Sequence, residues 1–200
     1  MAKSDIDMVA DRYVGELHHL LRQLTIKLYK RNPHELRKVR NASLEQRLEQ
    51  LFGESAPLKY TELAAKEGTD AILLALDPAY RGDRVFALMA GLTGMIRQSY
   101  GGKREFFLLD NLDAQQLYNS ARNLEITNWR LNHRLDASGH RLILANALPG
   151  EAINYGFERL FAKLVAHQDM MARIMANKSD RTIKTVVQSV ATAAFLPVGL

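Results

Sequence analysis

The stretch "VFALMAGLTGMI", residues 85–96, decides how the rest of the chain is read. It carries no charge, and its apolar residues fall on every side of a helical cylinder. A helix of that kind must be surrounded by protein. Ala87, Gly91 and Gly94 lie along one side and predict a neighbouring helix that approaches closely there. At about 12 residues the run is too short for a bilayer, which needs roughly 20. A central helix buried all round implies a ring of amphipathic helices about it.

The flanking sequence supplies that ring. Upstream, Ile6, Val9, Tyr13, Leu17, Leu20, Leu24 and Leu28 recur at steps of three and four, with Ser4 and Asp7 spaced as a capping box. Asn32-Pro33 gives a cap and a proline at a first helical position. Ser43 and Gln46 fit a second capping box that opens "SLEQRLEQLFG", and Gly53 closes it. "SAPLKY" reads as a loop, followed by short helices over 61–67 and 71–76 around Gly68. Asp77-Pro78 then leads into the central run, which Gly101-Gly102 ends.

Downstream, Asp113 and Gln116 cap a helix that runs to about residue 134, and another spans about 151–175. In the tail, Ile183, Val187, Val190 and Ala194 form one stripe and Arg181, Lys184, Gln188 and Thr192 a polar one. That pattern predicts a last helix over about 180–196, lying on the core and stopped by Pro197. "REFFLL" (104–109) and "RLILA" (141–145) break the helical rhythm beside turn residues, so a minor two-stranded β patch is predicted at most. There is no repeat, low-complexity tract or linker. The expectation is one all-α domain over residues 1–200, a multi-helix bundle with a buried central helix.

With 200 residues, 47% hydrophobic and 24% charged, the composition is that of a folded globular chain. The absence of cysteine excludes disulfides, thiolate nucleophiles and Cys-ligated metals. A formal net charge of +5 favours acidic partners, whether nucleic acid, an anionic lipid surface or an acidic protein. No transmembrane helix is expected. The opening "MAKSDIDMVADRYV" has no apolar signal-peptide core, so the chain as written would stay in the cytoplasm.

Candidate chemistry is sparse. Glu16 and His19 have the Glu-x-x-His spacing of di-iron bundles, but no second copy exists and both fall on the polar face. No metal site, cofactor or catalytic residue is expected. "GGKR" (101–104) lacks the frame of a phosphate loop. His167 shares a three-and-four stripe with Ile153, Phe157, Leu160, Leu164, Met171 and Ile174, which puts an imidazole on a buried seam as a ligand or switch candidate. Asn128 interrupts the stripe Leu117, Ala121, Leu124, Leu131, Leu135 as a register-fixing amide. Glu125, aligned with Tyr118, Arg122 and Trp129, is a candidate for a raised pKa, with pairing to Arg122 as the simpler account.

The strongest charge feature is "KLYKRNPHELRKVR", residues 27–40. There Lys27, Lys30, Arg31, Arg37, Lys38 and Arg40 face Glu35 alone. Such a block could hold phosphates, with Tyr29 free to stack, or lie against anionic head groups. Nucleic acid ranks below membrane or protein, because no nucleic-acid fold motif accompanies it.

Three blocks, "LTIKLYKRNPHELRK" (24–38), "GGKREFFLLDNLDAQQLYNSARNLEITNWRL" (101–131) and "DRTIKTVVQSVATAAFLPVG" (180–199), resemble an uncharacterised family of proteobacterial lipoproteins. The resemblance implies a location and no activity. A signal peptide and a lipidated cysteine would precede the folded part, which would then be periplasmic and tethered to the envelope. The leading expectation is therefore a non-enzymatic helical domain of the bacterial envelope, acting through protein or lipid contacts. The alternatives are an enzyme or small-ligand binder with a site inside the bundle near His167, Glu125 and Trp129, or a basic cytoplasmic nucleic-acid-binding module.

Overall fold

The central run of the sequence becomes α5 (Arg84–Ser99), and the other elements are arranged by what they pack against it. The computed structural model describes residues 5–102, 112–147, 150–152, 154–179, 183–185, 189–190 and 192–199, with side chains from residue 8 onward. In chain order the described helices are α1 (Asp5–Arg31), α2 (Pro33–Arg37), α3 (Leu44–Phe52), α4 (Gly68–Ala75), α5, α6 (Ala114–His133) and α7 (Gly156–Ser179). A single 3-10 turn, Thr61–Leu63, precedes α4. The architecture is all-α, and no described helix is long and apolar enough to cross a membrane.

Residues Val85 to Met89 and Leu92 have no accessible surface, so α5 is the core. Its closest neighbour is α4, while α1, α3 and α6 pack on its other sides and α7 closes the bundle against α6 and α1. The α4 contact explains the small residues. A Cβ on Gly91 would come within 2.7 Å of the Gly68 carbonyl oxygen and the Ile72 amide nitrogen. Gly68 itself has φ +50°, so this crossing needs glycine on both helices.

The N-terminal end of α5 sits in a buried polar network that the core would otherwise not tolerate. Asp83 caps the helix by accepting from the Phe86 amide at 2.9 Å. Its other oxygen accepts from the Tyr29 hydroxyl at 2.8 Å and from Arg47 Nε at 3.2 Å. Arg47 continues to both Glu62 oxygens, at 2.7 and 3.0 Å, and lies 4.0 Å over the Phe86 ring. Burial pushes the Asp83 carboxyl above the usual range against the pull of these donors, and burial beside Asp83 raises the Tyr29 phenol as well. Tyr29 therefore remains the donor. A second buried node, Gln168 of α7, donates to Ser99 Oγ at 3.1 Å and Ser120 Oγ at 2.9 Å, tying α5, α6 and α7 together.

The predicted caps of α3 and α6 are present, whereas Asn32 holds the N-cap position of α2 without a side-chain cap bond, its side-chain amide bonding Leu28 and Leu144 instead. Asn32 and Pro33 start α2. Ser43 and Gln46 exchange both bonds of a capping box and Gly53 closes α3, while Asp113 accepts from the Gln115 and Gln116 amides. The proposed Ser4/Asp7 box and the 104–109 run lie outside the described residues. Residues 61–67 form only the 3-10 turn, because Ala64 and Ala65 adopt positive φ, and the following helix is α4. Arg141 makes an isolated bridge to Leu135, and the described structure holds no strand over 141–145.

The tail differs most from its prediction. The described residues among 180–199 are not helical. They form a strap on α6, whose amide side chains supply the backbone partners a helix would have supplied internally. Gln115 both donates to and accepts from Lys184, and Asn123 does the same with Leu196 at 2.7 Å in each direction. Asn119 donates to the Pro197 carbonyl, Arg130 to that of Ala193, and the Gly199 amide donates to Gln116. Thr and Val, frequent in this tail, are weak helix formers, and Pro197 cannot continue a helix.

Candidate functional site

Two clefts lie toward opposite ends of α5, a helix about 24 Å long. The larger is an apolar groove of about 350 Å³ between α1, the end of α3 with the loop after it, and the C-terminal half of α5. Its walls include Leu17, Leu21, Leu51, Phe52, Ala90 and Ile96. Polar groups are few. Arg97 donates to the carbonyls of Ala56 at 2.9 Å and Gly102 at 3.2 Å, leaving other guanidinium N–H groups uncommitted among the described residues. No described carboxylate pairs with it. The Thr93 hydroxyl is covered and has no hydrogen-bond partner among the described residues. Asp11 on α1 and Glu54 on the loop also contribute to the lining.

Gly15 also lines this groove, and nothing in the packing accounts for it. It sits mid-way along α1 with ordinary helical backbone, and a Cβ added there would meet no atom within 4 Å. A glycine in a helix interior costs roughly 0.5–1 kcal/mol relative to alanine. Here its physical effect is to leave the wall of the groove open.

The smaller cleft, about 260 Å³, is polar. His34 from α2 and Lys38 just after it meet Arg81, from the loop before α5, and Arg84 at the start of α5, with Asp136 and Arg141 from the turn after α6. The sequence-stretch 27–40 thus contributes His34, Glu35 and Lys38, and the chain adds three arginines from elsewhere.

The six cations singled out in 27–40 are divided in their engagements. Lys27 lies 5.5 Å over the Phe157 ring. Arg31 bonds to Glu151 and reaches the Asn146 carbonyl, and Lys38 pairs with Glu35 at 2.7 Å. Lys30, Arg37 and Arg40 are exposed. Tyr29 is buried against Asp83 and is not free to stack on a base, as the sequence pattern had suggested.

His167 is half-buried and not on the centre of the seam; its ring meets the Tyr13 ring edge-on at 5.1 Å. The buried polar residue is its neighbour Gln168. A strict seven-residue stripe drifts by about 20° per heptad on a real helix, which rotates His167 off the face and Gln168 onto it. Asn128 is likewise half-buried and donates to Glu158 at 2.6 Å. Burial raises the Glu125 pKa; Arg122 at 3.4 Å acts the other way, and nearby Asp169 adds to the rise. Arg122 also bonds to Asp169 at 2.6 Å. Trp129 stacks on His133 at 4.2 Å. None of His167, Glu125 and Trp129 lines either cleft.

The apolar groove and the three-arginine cleft were not read from the sequence. Gly15 inside an otherwise strong helical stripe was the one local signal for the first; the second assembles only in three dimensions. Comparison with family models, curated proteins and solved structures finds no match, so the site has to be argued from its own geometry.

Proposed function

We propose that this protein is a non-enzymatic ligand-binding helical domain whose groove beside α5 takes the aliphatic chain of a small amphipathic acid, a fatty acid or a similar acyl carboxylate. The observation that carries the reading is Gly15, a glycine that weakens α1, packs against nothing and keeps an apolar wall open. The volume is at the lower end of small-molecule sites, and the lining is apolar with a few polar groups, as such sites require. Arg97 offers the carboxylate donors that no described residue takes and a charge that no described carboxylate pairs, with Asp11 and Glu54 also in the lining. Tethering to the bacterial envelope goes with the lipoprotein-like sequence blocks and would put the groove where acyl chains are abundant.

The test is isothermal titration of dodecanoate, dodecanol and dodecyltrimethylammonium, each below its micelle concentration, into the full chain. One saturable dodecanoate site is expected, about tenfold tighter than dodecanol, with the cation weakest. Gly15→Leu should remove binding without lowering the melting temperature, because the new side chain enters the groove. Binding that is unchanged in Gly15→Leu, or no binding at all, rejects the groove. A preference for the cation rejects the role of Arg97.

A further inference from the structure

The polar cleft at the other end of α5 carries an excess of positive charge that its own carboxylates do not neutralise. Lys38, Arg81, Arg84 and Arg141 line it together with His34, against Glu35 and Asp136. Glu35 is committed to cationic partners, while Asp136 is bonded by neutral amides and keeps its charge, so the two carboxylates stand against Lys38 and three arginines. Glu35 accepts from Lys38 at 2.7 Å, lies 3.0 Å from His34 Nε2, and accepts from the Arg84 backbone amide at 2.7 Å. Asp136 accepts from the Ser138 and His140 amides, and the bond from His140 leads the causes that hold its carboxyl below the usual range.

The arginines, in contrast, have neutral partners. Arg84 is buried and its guanidinium donates to four carbonyl oxygens, those of Ala75, Asp77, Pro78 and Tyr80. Arg141 donates to the Asn132 carbonyl. Arg81 is exposed, and no described carboxylate pairs with any of the three. Burial lowers the Arg84 pKa; Glu35 and Asp77 act the other way, and Arg81 adds like-charge repulsion. Carbonyl dipoles satisfy hydrogen bonds but do not cancel charge, so an anion entering the cleft would be attracted by all three. Arg84 would supply field and hold the loop that carries Arg81, while Arg81, Arg141 and Lys38 would supply donors.

We infer that this cleft is an anion site for a phosphate group, either free phosphate or the phosphomonoester head of a lipid. A planar carboxylate would engage one guanidinium fork; a tetrahedral dianion can engage several cations at once, which suits an unneutralised cluster. The inference stands independently of the acyl groove, since the two clefts share no lining residue.

Inorganic phosphate titrated into the full chain should bind saturably at one site and weaken with added sodium chloride. Arg81→Gln should reduce the affinity about tenfold, and Arg81→Glu should abolish binding. Arg81 is exposed and makes no described hydrogen bond, so neither change threatens the fold. Gly15→Leu should leave phosphate binding intact, which separates failure here from failure of the groove. Phosphatidic acid vesicles identify the source. Vesicle binding released by millimolar-scale phosphate assigns a lipid head group, and phosphate binding without vesicle binding assigns the free ion. Absence of binding to both, or binding indifferent to Arg81→Glu, overturns the inference.

Discussion

Two glycines, Gly15 and Gly91, have opposite physical meanings, and substitution by alanine separates them. At Gly91 the new methyl would stand 2.7 Å from the α4 backbone, so the helices must part. Gly91→Ala should destabilise by about 1–3 kcal/mol, the usual cost of overpacking, read as a lower denaturant midpoint. At Gly15 the methyl meets nothing, and Gly15→Ala should stabilise by about 0.5–1 kcal/mol through helix propensity. A loss of stability at position 15 would mean that the glycine serves the fold and not the groove. Buried tyrosines set a pH limit at the same scale. Burial raises the Tyr29 phenol beside Asp83, and burial raises that of Tyr100. The folded pKa lies above the unfolded value near 10, so this stability is complete below that pH and is lost as pH rises beyond it. Tyrosinate absorbance from the buried phenols of Tyr29 and Tyr100 should appear only together with loss of helical circular dichroism. Ionisation of all the tyrosines in one step before unfolding would contradict the buried network.

Among the elements, α5 and the caps of α3 and α6 were legible because each depends on residues adjacent in sequence. A run apolar on all sides can only be central, and a capping box is read directly from its spacing. The tail was not legible for the opposite reason. Its amphipathic stripes compete with partners on α6, and Asn119 and Asn123 show no helical-strap signal until the two segments are brought together. Likewise His167 was displaced from the seam by the difference between a seven-residue repeat and 3.6 residues per turn. The strap account predicts that Asn123→Ala, which removes both bonds to Leu196, costs about 1–3 kcal/mol and speeds hydrogen exchange at the Leu196 amide. Unchanged exchange there would show that the strap does not depend on the amide ladder.

For the whole molecule, α5 is a buried core helix flanked by two clefts of different chemistry. Neither is written in a local motif. The groove needs α1, α3 and α5 together, and the arginines of the polar cleft come from positions 81, 84 and 141. The all-α single core was predictable from pattern; the sites depend on which polar groups remain unpaired after the chain has packed. Trp129 stacks on His133 away from the groove lining, so its fluorescence is not the probe of choice for ligand entry. The central claim, that the groove beside α5 is an acyl-carboxylate site, is tested most directly by a proton–nitrogen spectrum of the full chain during dodecanoate titration. Saturable shifts confined to Gly15, Leu58, Thr93, Gly94, Arg97 and their neighbours, and absent in Gly15→Leu, are the predicted result. Shifts that scatter over the surface, or that persist in Gly15→Leu, would contradict it.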